Sequence, residues 1–342
     1  MTRIGLDLGY ANITLSDVDA GVYREPAVAL IDKNSRRIIS VGNSALAESD
    51  SLSEQTLLVR PFKNGLLFDR QITQSIITHA MSSVPLDERL RCVIGVPSDL
   101  LPKQEREIYA MLSEAGAKEC YSVNRAVAAL VGAGYSPLES IISVNVGSAN
   151  TEIVLIVNGE IAYIKKEAIG GEDFDKAVKQ YIFEQGEVNV SLSVARAIKE
   201  KLGAVWHGRE EQSVDIEGTL SLTGNRVKMS ISSEDIVGVF EEPLHRLLMT
   251  VAEVIKKIPL ENIENTFKNG VVLTGGGSMI YGTDIMMSKV LGIPVHQPED
   301  PIDSVAKGLA VISNTIPVKN RASHKNITAD IADYYKNKKI FR

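Results

Sequence analysis

Two stretches of the sequence each place an acid or an amide just before a glycine turn. In residues 4–21 an apolar run holds Asp7 and leads into Gly9, and in residues 144–161 a similar run holds Asn145 and leads into Gly147. Successive backbone N–H groups at such turns can converge on an anion. We therefore expect two half-sites that grip one phosphate chain, formed by Asp7, Gly9, Tyr10, Ala11 and Asn12 and by Asn145, Gly147, Ser148, Ala149 and Asn150.

A third glycine turn lies in "VLTGGGSMIYG", residues 272–282. The pattern predicts a strand that runs through Gly275, Gly276, Gly277 and Ser278 into a helix, so that a flat ring or a phosphate could lie against the backbone. A single glycine after a strand is usually only a turn, so the three turns carry weight together. Neither the dinucleotide-binding fingerprint nor the P-loop pattern is present, which disfavours those nucleotide folds.

Composition excludes several classes of protein. The chain has 342 residues, 44% of them apolar and 23% charged, with a formal net charge of −6. A nucleic-acid binder is usually basic, so no nucleic-acid partner is expected. The two cysteines favour a reducing compartment, and the five histidines show no metal-ligand spacing. The strand pattern starts at once, and no apolar run approaches the roughly 18 residues of a membrane span. These features predict a cytoplasmic protein.

The order of predicted elements repeats along the chain. Strands at 3–8 and 12–17 are followed by alternating helices and strands to residue 134, and the pattern restarts with the hairpin at 140–165. Helices are predicted at 172–185, 191–202, 233–257, roughly 277–291 and 302–315, with a strand stretch at 213–231. This order predicts an α/β protein of two similar domains around one cleft. We expect domain I at 1–136 with 303–316, domain II at 137–302 with an inserted subdomain at about 185–255, and a polar, basic tail at 317–342.

Several sequence motifs also resemble those of a known family. Between Ile4 and about Ile316 the chain resembles the bacterial MreB family of the actin-like ATPase superfamily, in "GLDLGYANI", "YREPAVALI", "VRPFKNGLLFD", "VIGVPSD", "AGAKECYSVNRAVAALVGAG", "GSANTEIVLIVNGEI", "AIGGEDFDKAV", "VVLTGGGSMIYG" and "IPVHQPEDPIDSVAKGLA". The resemblance implies the actin-like fold, head-to-tail polymers of this chain, and a cleft for ATP or ADP with Mg²⁺. It also adds Gly170, Gly171, Arg196 and Lys199 to the nucleotide site.

The departures from the family pattern concern the catalytic positions. The family's Mg²⁺ is held through water by two Asp residues, which here are Asp7 and Asn145, so one negative charge is lost. The family's water-positioning Glu falls on Arg125, whose guanidinium cannot act as a base but could pair with a γ-phosphate. Tyr10 replaces a usual Thr, and Arg196 replaces the family's ribose-contacting Glu. The retained Gly275–Gly277 turn, with Asp7, Lys199 and Gly170-Gly171, favours nucleotide binding. The changes predict weak or no hydrolysis, while a slower but working ATPase stays open.

Three functions are compatible with the sequence. The first is a cytoskeletal filament subunit that serves cell shape or an intracellular scaffold. The second is a non-polymerising actin-fold adaptor with a degenerate nucleotide cleft. The third, a small-molecule kinase, is disfavoured because no sugar-binding insertion is apparent.

The tail has two interpretations, either a loosely ordered terminus or a segment that contacts a protein partner or an anionic membrane. Weak membrane contacts of a polymer are expected at Leu86, in the 82–91 loop, and at Ile340 and Phe341 in the tail, with a membrane protein as another possible partner.

Overall fold

Two mixed β-sheets with matching strand orders form the framework of the protein. The computed structural model describes residues 1–19, 21–49, 54–63, 66–67, 69–84, 89–317 and 324–336. In chain order the strands are β1 (Thr2–Leu8), β2 (Asn12–Asp17), β3 (Gly21–Pro26), β4 (Ala29–Asp32), β5 (Ile38–Val41), β6 (Thr56–Val59), β7 (Phe62–Lys63), β8 (Leu66–Leu67), β9 (Leu90–Val96), β10 (Glu119–Asn124), β11 (Ile141–Val146), β12 (Thr151–Val157), β13 (Glu160–Glu167), β14 (Val188–Asn189), β15 (Ser213–Leu220), β16 (Arg226–Ser232), β17 (Val271–Thr274), β18 (Val295–His296) and β19 (His324–Asn326).

The helices cover the faces of these sheets. In chain order they are α1 (Gly42–Ser49), α2 (Arg70–Met81), α3 (Pro102–Glu114), α4 (Arg125–Gly132), α5 (Gly171–Gly186), α6 (Leu192–Leu202), α7 (Ser233–Ile236), α8 (Glu241–Ile255), α9 (Ile263–Asn269), α10 (Thr283–Leu291), α11 (Ser304–Thr315) and α12 (Ile331–Lys336). Short 3-10 helices lie at Val237–Phe240, Leu260–Asn262, Gly276–Met279, Pro301–Asp303 and Thr328–Asp330.

The strand orders show the predicted repeat. The first sheet runs β19-β10-β9-β1-β2-β3 and the second runs β13-β12-β11-β17-β18. In each sheet three antiparallel strands are followed by parallel neighbours, since β1 pairs antiparallel with β2 and parallel with β9, and β11 pairs antiparallel with β12 and parallel with β17. The fold is therefore the α/β, actin-like architecture expected from the sequence.

Two helices pack closely between the sheets. The helix α4 follows β10, and α11 packs against both α4 and β1. Glycine makes this approach possible, since a Cβ on Gly132 would lie 1.8 Å from the Ser304 carbonyl oxygen and one on Gly308 would lie 1.8 Å from that of Ala128. The close contact joins α11 to the element that begins with Arg125.

Several predicted elements differ in detail from the structure. The predicted helix 233–257 is broken at Val237–Phe240, and the predicted helix 277–291 is a 3-10 turn followed by α10. The strand stretch 213–231 is the antiparallel hairpin of β15 and β16. The helices α1 and α9 were not predicted.

The tail is more structured than either interpretation of it. Its residues 324–326 add β19 to the edge of the first sheet, parallel to β10. The side chains of Ile327, Ile331 and Tyr335 are buried in a core cluster that also contains residues of α4 and α11. The interpretation as a loosely ordered terminus is wrong for residues 324–336, because this apolar spacing gives the segment a buried face.

Candidate functional site

The two predicted phosphate hairpins have the same turn geometry. The Gly9 N–H donates to the Asn12 carbonyl oxygen at 3.0 Å, and the Gly147 N–H donates to that of Asn150 at 2.9 Å. A Cβ on either glycine would lie within 3 Å of the same acceptor, at 2.7 Å for Gly9 and 2.9 Å for Gly147. Both turns therefore need glycine, and both leave the following residues on the wall of one cavity.

The third glycine turn closes the other side of this cavity. Gly275 has a φ of +86°, and its N–H donates to the Pro301 carbonyl oxygen at 2.8 Å. A Cβ on Gly275 would lie 2.3 Å from the Val146 carbonyl oxygen, so the turn lies directly against the second hairpin. The Ser278 hydroxyl donates back to the Gly275 carbonyl oxygen at 2.7 Å, which fixes the turn from within.

A cavity of ≈ 560 Å³ lies between the three turns. Residues from every predicted group line it: Asp7, Gly9, Tyr10, Ala11, Asn12, Arg125, Asn145, Gly147, Ser148, Ala149, Asn150, Gly171, Arg196, Lys199, Gly275, Gly276 and Gly277. Gly170 and Ser278 are absent from the wall. A Cβ on Gly170 would lie 2.5 Å from the Ser148 carbonyl oxygen, so this glycine supports the second hairpin from behind. The structure thus brings together residues that are far apart in sequence.

Arg125 forms an ion pair at the floor of the cavity. Its Nε donates to the Asp7 Oδ1 at 3.0 Å, and its Nη2 donates to the Leu8 carbonyl oxygen. Burial raises the pKa of the Asp7 carboxyl, and the guanidinium charge opposes that shift. The residue at the position of the family's base is therefore a fixed cation held by the first hairpin.

Two residues of the second hairpin line the same cavity as this ion pair. Asn145 and Glu152 are opposite each other in the register of β11 and β12. The Glu152 Oε1 accepts from the Ser98 N–H at 2.9 Å, and its Oε2 accepts from the Asn124 Nδ2 at 3.4 Å. Burial raises the pKa of Glu152, while the charge of Arg125 lowers it. Glu152 lines the cavity, but the sequence did not predict it as a site residue. Its local pattern is only that of one polar residue in an alternating strand.

A buried carboxylate holds the two cations on the opposite wall. Asp175 is 0% exposed; its Oδ1 forms an ion pair with the Lys199 Nζ at 2.6 Å, and its Oδ2 accepts from the Arg196 Nε at 3.0 Å. Lys199 also donates to the Gly171 carbonyl oxygen at 3.0 Å. Asp175 was not predicted, although it is the last acid of the "GEDFD" motif that begins α5.

Tyr10 has a partner that the sequence did not indicate. The Arg60 guanidinium lies over the Tyr10 ring, 5.3 Å from its centroid, and the Arg60 Nη1 donates to the Tyr10 and Ala11 carbonyl oxygens at 3.1 and 3.2 Å. Burial, with the nearby charge of Arg196, lowers the pKa of Arg60. The bulky ring at this turn is therefore held in place by a cation.

The side chains around the Arg125–Asp7 ion pair do not suit Mg²⁺. Magnesium is usually bound through carboxylates that keep its water shell in place, but Asp7 is engaged by Arg125. Asn145 is a neutral amide whose Oδ1 accepts from the Thr274 hydroxyl at 3.4 Å, and Glu152 is committed to Ser98 and Asn124. No cluster of three or more metal-ligating side chains occurs in the part of the chain that the structure describes. The expectation that Asp7 holds Mg²⁺ through water is at odds with this ion pair.

The predicted membrane contacts Leu86, Ile340 and Phe341 lie outside the described residues. In the same loop as Leu86, Val84 packs against the core cluster of the first sheet, so it is not free to enter a bilayer. Among the described residues, none of the helices has the length and the apolar character that crossing a membrane requires.

Comparison with known proteins gives a consistent result. A family model described as "MreB/Mbl protein" matches residues 1–321. The cell shape-determining protein Mbl of Bacillus cereus is 26% identical over 320 residues, which cover 92% of this chain and 96% of that protein. The cell shape-determining protein MreB of Escherichia coli K12 is 27% identical over 316 residues, which cover 89% of this chain and 91% of that protein.

Solved structures share the fold. The crystal structure of MreB5 of Spiroplasma citri bound to ADP aligns with a TM-score of 0.85 at 23% identity, covering 91% of this chain and 96% of that one. A double helical filament of MamK aligns with a TM-score of 0.78 at 20% identity, covering 92% of this chain and 99% of that one. The match of the family model to nearly the whole chain, together with this fold, shows that the protein belongs to the MreB/Mbl family of actin-like cytoskeletal proteins.

Proposed function

We propose that this protein is the subunit of a head-to-tail cytoskeletal filament, which binds ATP or ADP in its cleft and hydrolyses ATP weakly or not at all. The observation that carries the proposal is the cavity between the three glycine turns, with the Arg125–Asp7 ion pair at its floor. The names of the relatives support a role in cell shape, and an intracellular scaffold would use the same polymer.

The charge of the cavity wall supports a polyphosphate ligand. Five basic side chains of the described residues line the cavity together with three carboxylates: Arg24, Arg125, Lys166, Arg196 and Lys199 against Asp7, Glu152 and Glu200. Backbone N–H groups at the hairpin turns add donors without adding charge. The related MreB5 has been crystallised with ADP and with AMPPNP, and the same class of ligand suits this cleft.

Weak hydrolysis follows from the side chains around the ion pair. A general base must accept a proton from the attacking water, and a guanidinium remains protonated at any physiological pH. Glu152 is opposite Asn145 in the hairpin register. The Ser98 N–H and the Asn124 amide already donate to its two oxygens. The cleft therefore has the donors to bind a nucleotide, while Asp7 and Glu152 are already engaged by protein partners.

Polymerisation is proposed from the family and from geometry. A head-to-tail contact between unlike surfaces of two subunits is open, so it generates filaments rather than closed dimers. MamK, which shares the fold, forms a double helical filament. An anionic membrane surface or a membrane protein is proposed as a further partner of the polymer, on the basis of the basic tail.

Sedimentation and negative-stain electron microscopy of the purified protein, with and without ATP, test this proposal. We expect filaments that pellet at tens of micromolar protein. A protein that stays strictly monomeric at these concentrations in both states would contradict the filament and favour the adaptor instead.

A further inference from the structure

Arg125 pairs with Asp7 in the wall of the cavity, which Asn145 and Glu152 also line. We propose that its guanidinium replaces the divalent cation, so that nucleoside diphosphates and triphosphates bind this cleft without Mg²⁺. This inference rests on the proposed nucleotide binding and concerns the chemistry by which the phosphates are held.

The guanidinium has a donor left for a ligand. Its Nε is used by Asp7 and its Nη2 by the Leu8 carbonyl oxygen, whereas its Nη1 has no hydrogen-bond partner among the described residues. The side chain is 20% exposed and lines the cavity. A guanidinium pairs with phosphate through directed N–H groups, so the free nitrogen can contact a phosphate while the other two hold the cation in place.

The ion pair also disfavours a divalent cation at Asp7. A divalent cation at Asp7 would lie beside the Arg125 guanidinium, a positive charge that is not lost at physiological pH. Burial raises the pKa of the Glu152 carboxyl, and the charge of Arg125 opposes that shift. The carboxylate at the end of β1 is thus already paired with a fixed cation.

Asn145, on the opposite hairpin, also offers a donor to a phosphate. Its Oδ1 accepts from the Thr274 hydroxyl, and its Nδ2 has no hydrogen-bond partner among the described residues although the residue is only 6% exposed. An amide nitrogen donates to a phosphate oxygen but cannot hold the water shell of a cation as a carboxylate does. The amide therefore matches a phosphate chain that carries no metal.

Titration of the full-length protein with a fluorescent ADP analogue, in EDTA and in millimolar MgCl₂, tests the inference. The wild type should bind with dissociation constants that agree within about threefold between the two buffers. Arg125→Gln should weaken binding in EDTA by roughly tenfold or more, the loss expected for a charge-assisted hydrogen bond. Arg226→Gln, on the exposed face of β16, is the matched control and should bind like the wild type.

A second variant tests the inference even if Arg125→Gln does not fold. Asn145→Asp leaves the Arg125 ion pair intact, and it should weaken binding in EDTA and regain affinity in MgCl₂ by about tenfold. Wild-type binding that needs Mg²⁺ would overturn this inference and leave the proposed nucleotide site standing. A wild type that binds in neither buffer would overturn the nucleotide site, and this inference with it.

Discussion

The Arg125 Nε lies 3.0 Å from the Asp7 Oδ1, joining the first residue of α4 to the end of β1. In the family pattern these two positions carry a base and a metal-holding acid, and here they neutralise each other. The cleft has its three glycine turns and its cavity, and the ion pair is the basis of the proposal that it hydrolyses ATP weakly or not at all.

The glycine turn at 275–277 provides a sharp test of the cleft geometry. Gly275→Ala would place a Cβ 2.3 Å from the Val146 carbonyl oxygen at a φ of +86°, and we expect a loss of about 2–4 kcal/mol in the free energy of unfolding. Gly276→Ala is the neighbouring control, because its Cβ would meet only Ile302, at 3.5 Å. Urea denaturation compares the two variants, and equal midpoints would contradict this account of the turn.

A buried ion pair ties the first sheet to the end of α11. Arg91 is 0% exposed, and its Nε donates to the Glu119 Oε2 at 2.8 Å while its Nη1 donates to the Ile316 carbonyl oxygen at 2.8 Å. Arg91→Met would leave Glu119 buried without its cation, at a cost of about 3–5 kcal/mol in unfolding free energy. Adding Glu119→Gln should recover part of that loss.

Urea denaturation with the exposed pair Lys228–Glu217 as control measures this effect. Lys228→Met should change the unfolding free energy by less than about 1 kcal/mol. If the unfolding free energy falls as little for Arg91→Met as for the control, Arg91 does not stabilise the contact between the first sheet and α11.

Polymer stability should depend little on the state of the nucleotide. Because the proposed weak or absent hydrolysis would not drive disassembly, the critical concentration is expected to be similar in ATP and in ADP. Light scattering over a protein dilution series measures it. A critical concentration many times higher in ADP would indicate a coupled ATPase.

Membrane binding is predicted to be weak and to depend on salt and on the polymer. Lys338, Lys339 and Arg342 surround Ile340 and Phe341, and each cation contributes about 1 kcal/mol near an anionic surface. Deleting residues 337–342 should reduce pelleting with anionic liposomes, and this deletion spares Tyr335, which is 2% exposed. If the deletion has no effect and Leu86→Asp abolishes pelleting, the 82–91 loop is the anchor and the tail prediction is wrong.

The sequence predicted the framework because its signals are local. The repeated apolar runs and the glycine turns at Gly9 and Gly147 depend on nearby residues alone, and they led directly to the two matching sheets. The break at Val237–Phe240 was missed, since its residues continue the apolar pattern of the flanking helices. The strand β19 was missed because its three residues, His324–Asn326, are polar and exposed, so only pairing with β10 defines it.

Most residues that line the cavity were named from the sequence, but their pairings were not. Arg125, Arg196 and Lys199 could be named from the family pattern, whereas their partners depend on contacts that the fold alone creates. Asp175 lies 21 residues from Arg196 in sequence, and Arg60 reaches the Tyr10 turn from 50 residues away. Apolar periodicity does not predict such pairs.

The most direct test of the central claim is phosphate release from ATP under polymerising conditions. The wild type should release phosphate near the background of a protein-free control. The double variant Arg125→Glu with Asn145→Asp should exceed the wild type by about tenfold or more, part of the factor of about 100 that a positioned base contributes. Arg226→Glu, a charge reversal on the exposed strand β16, should match the wild type. A wild-type rate equal to that of an active MreB assayed alongside would contradict the claim that this cleft holds a nucleotide without turning it over.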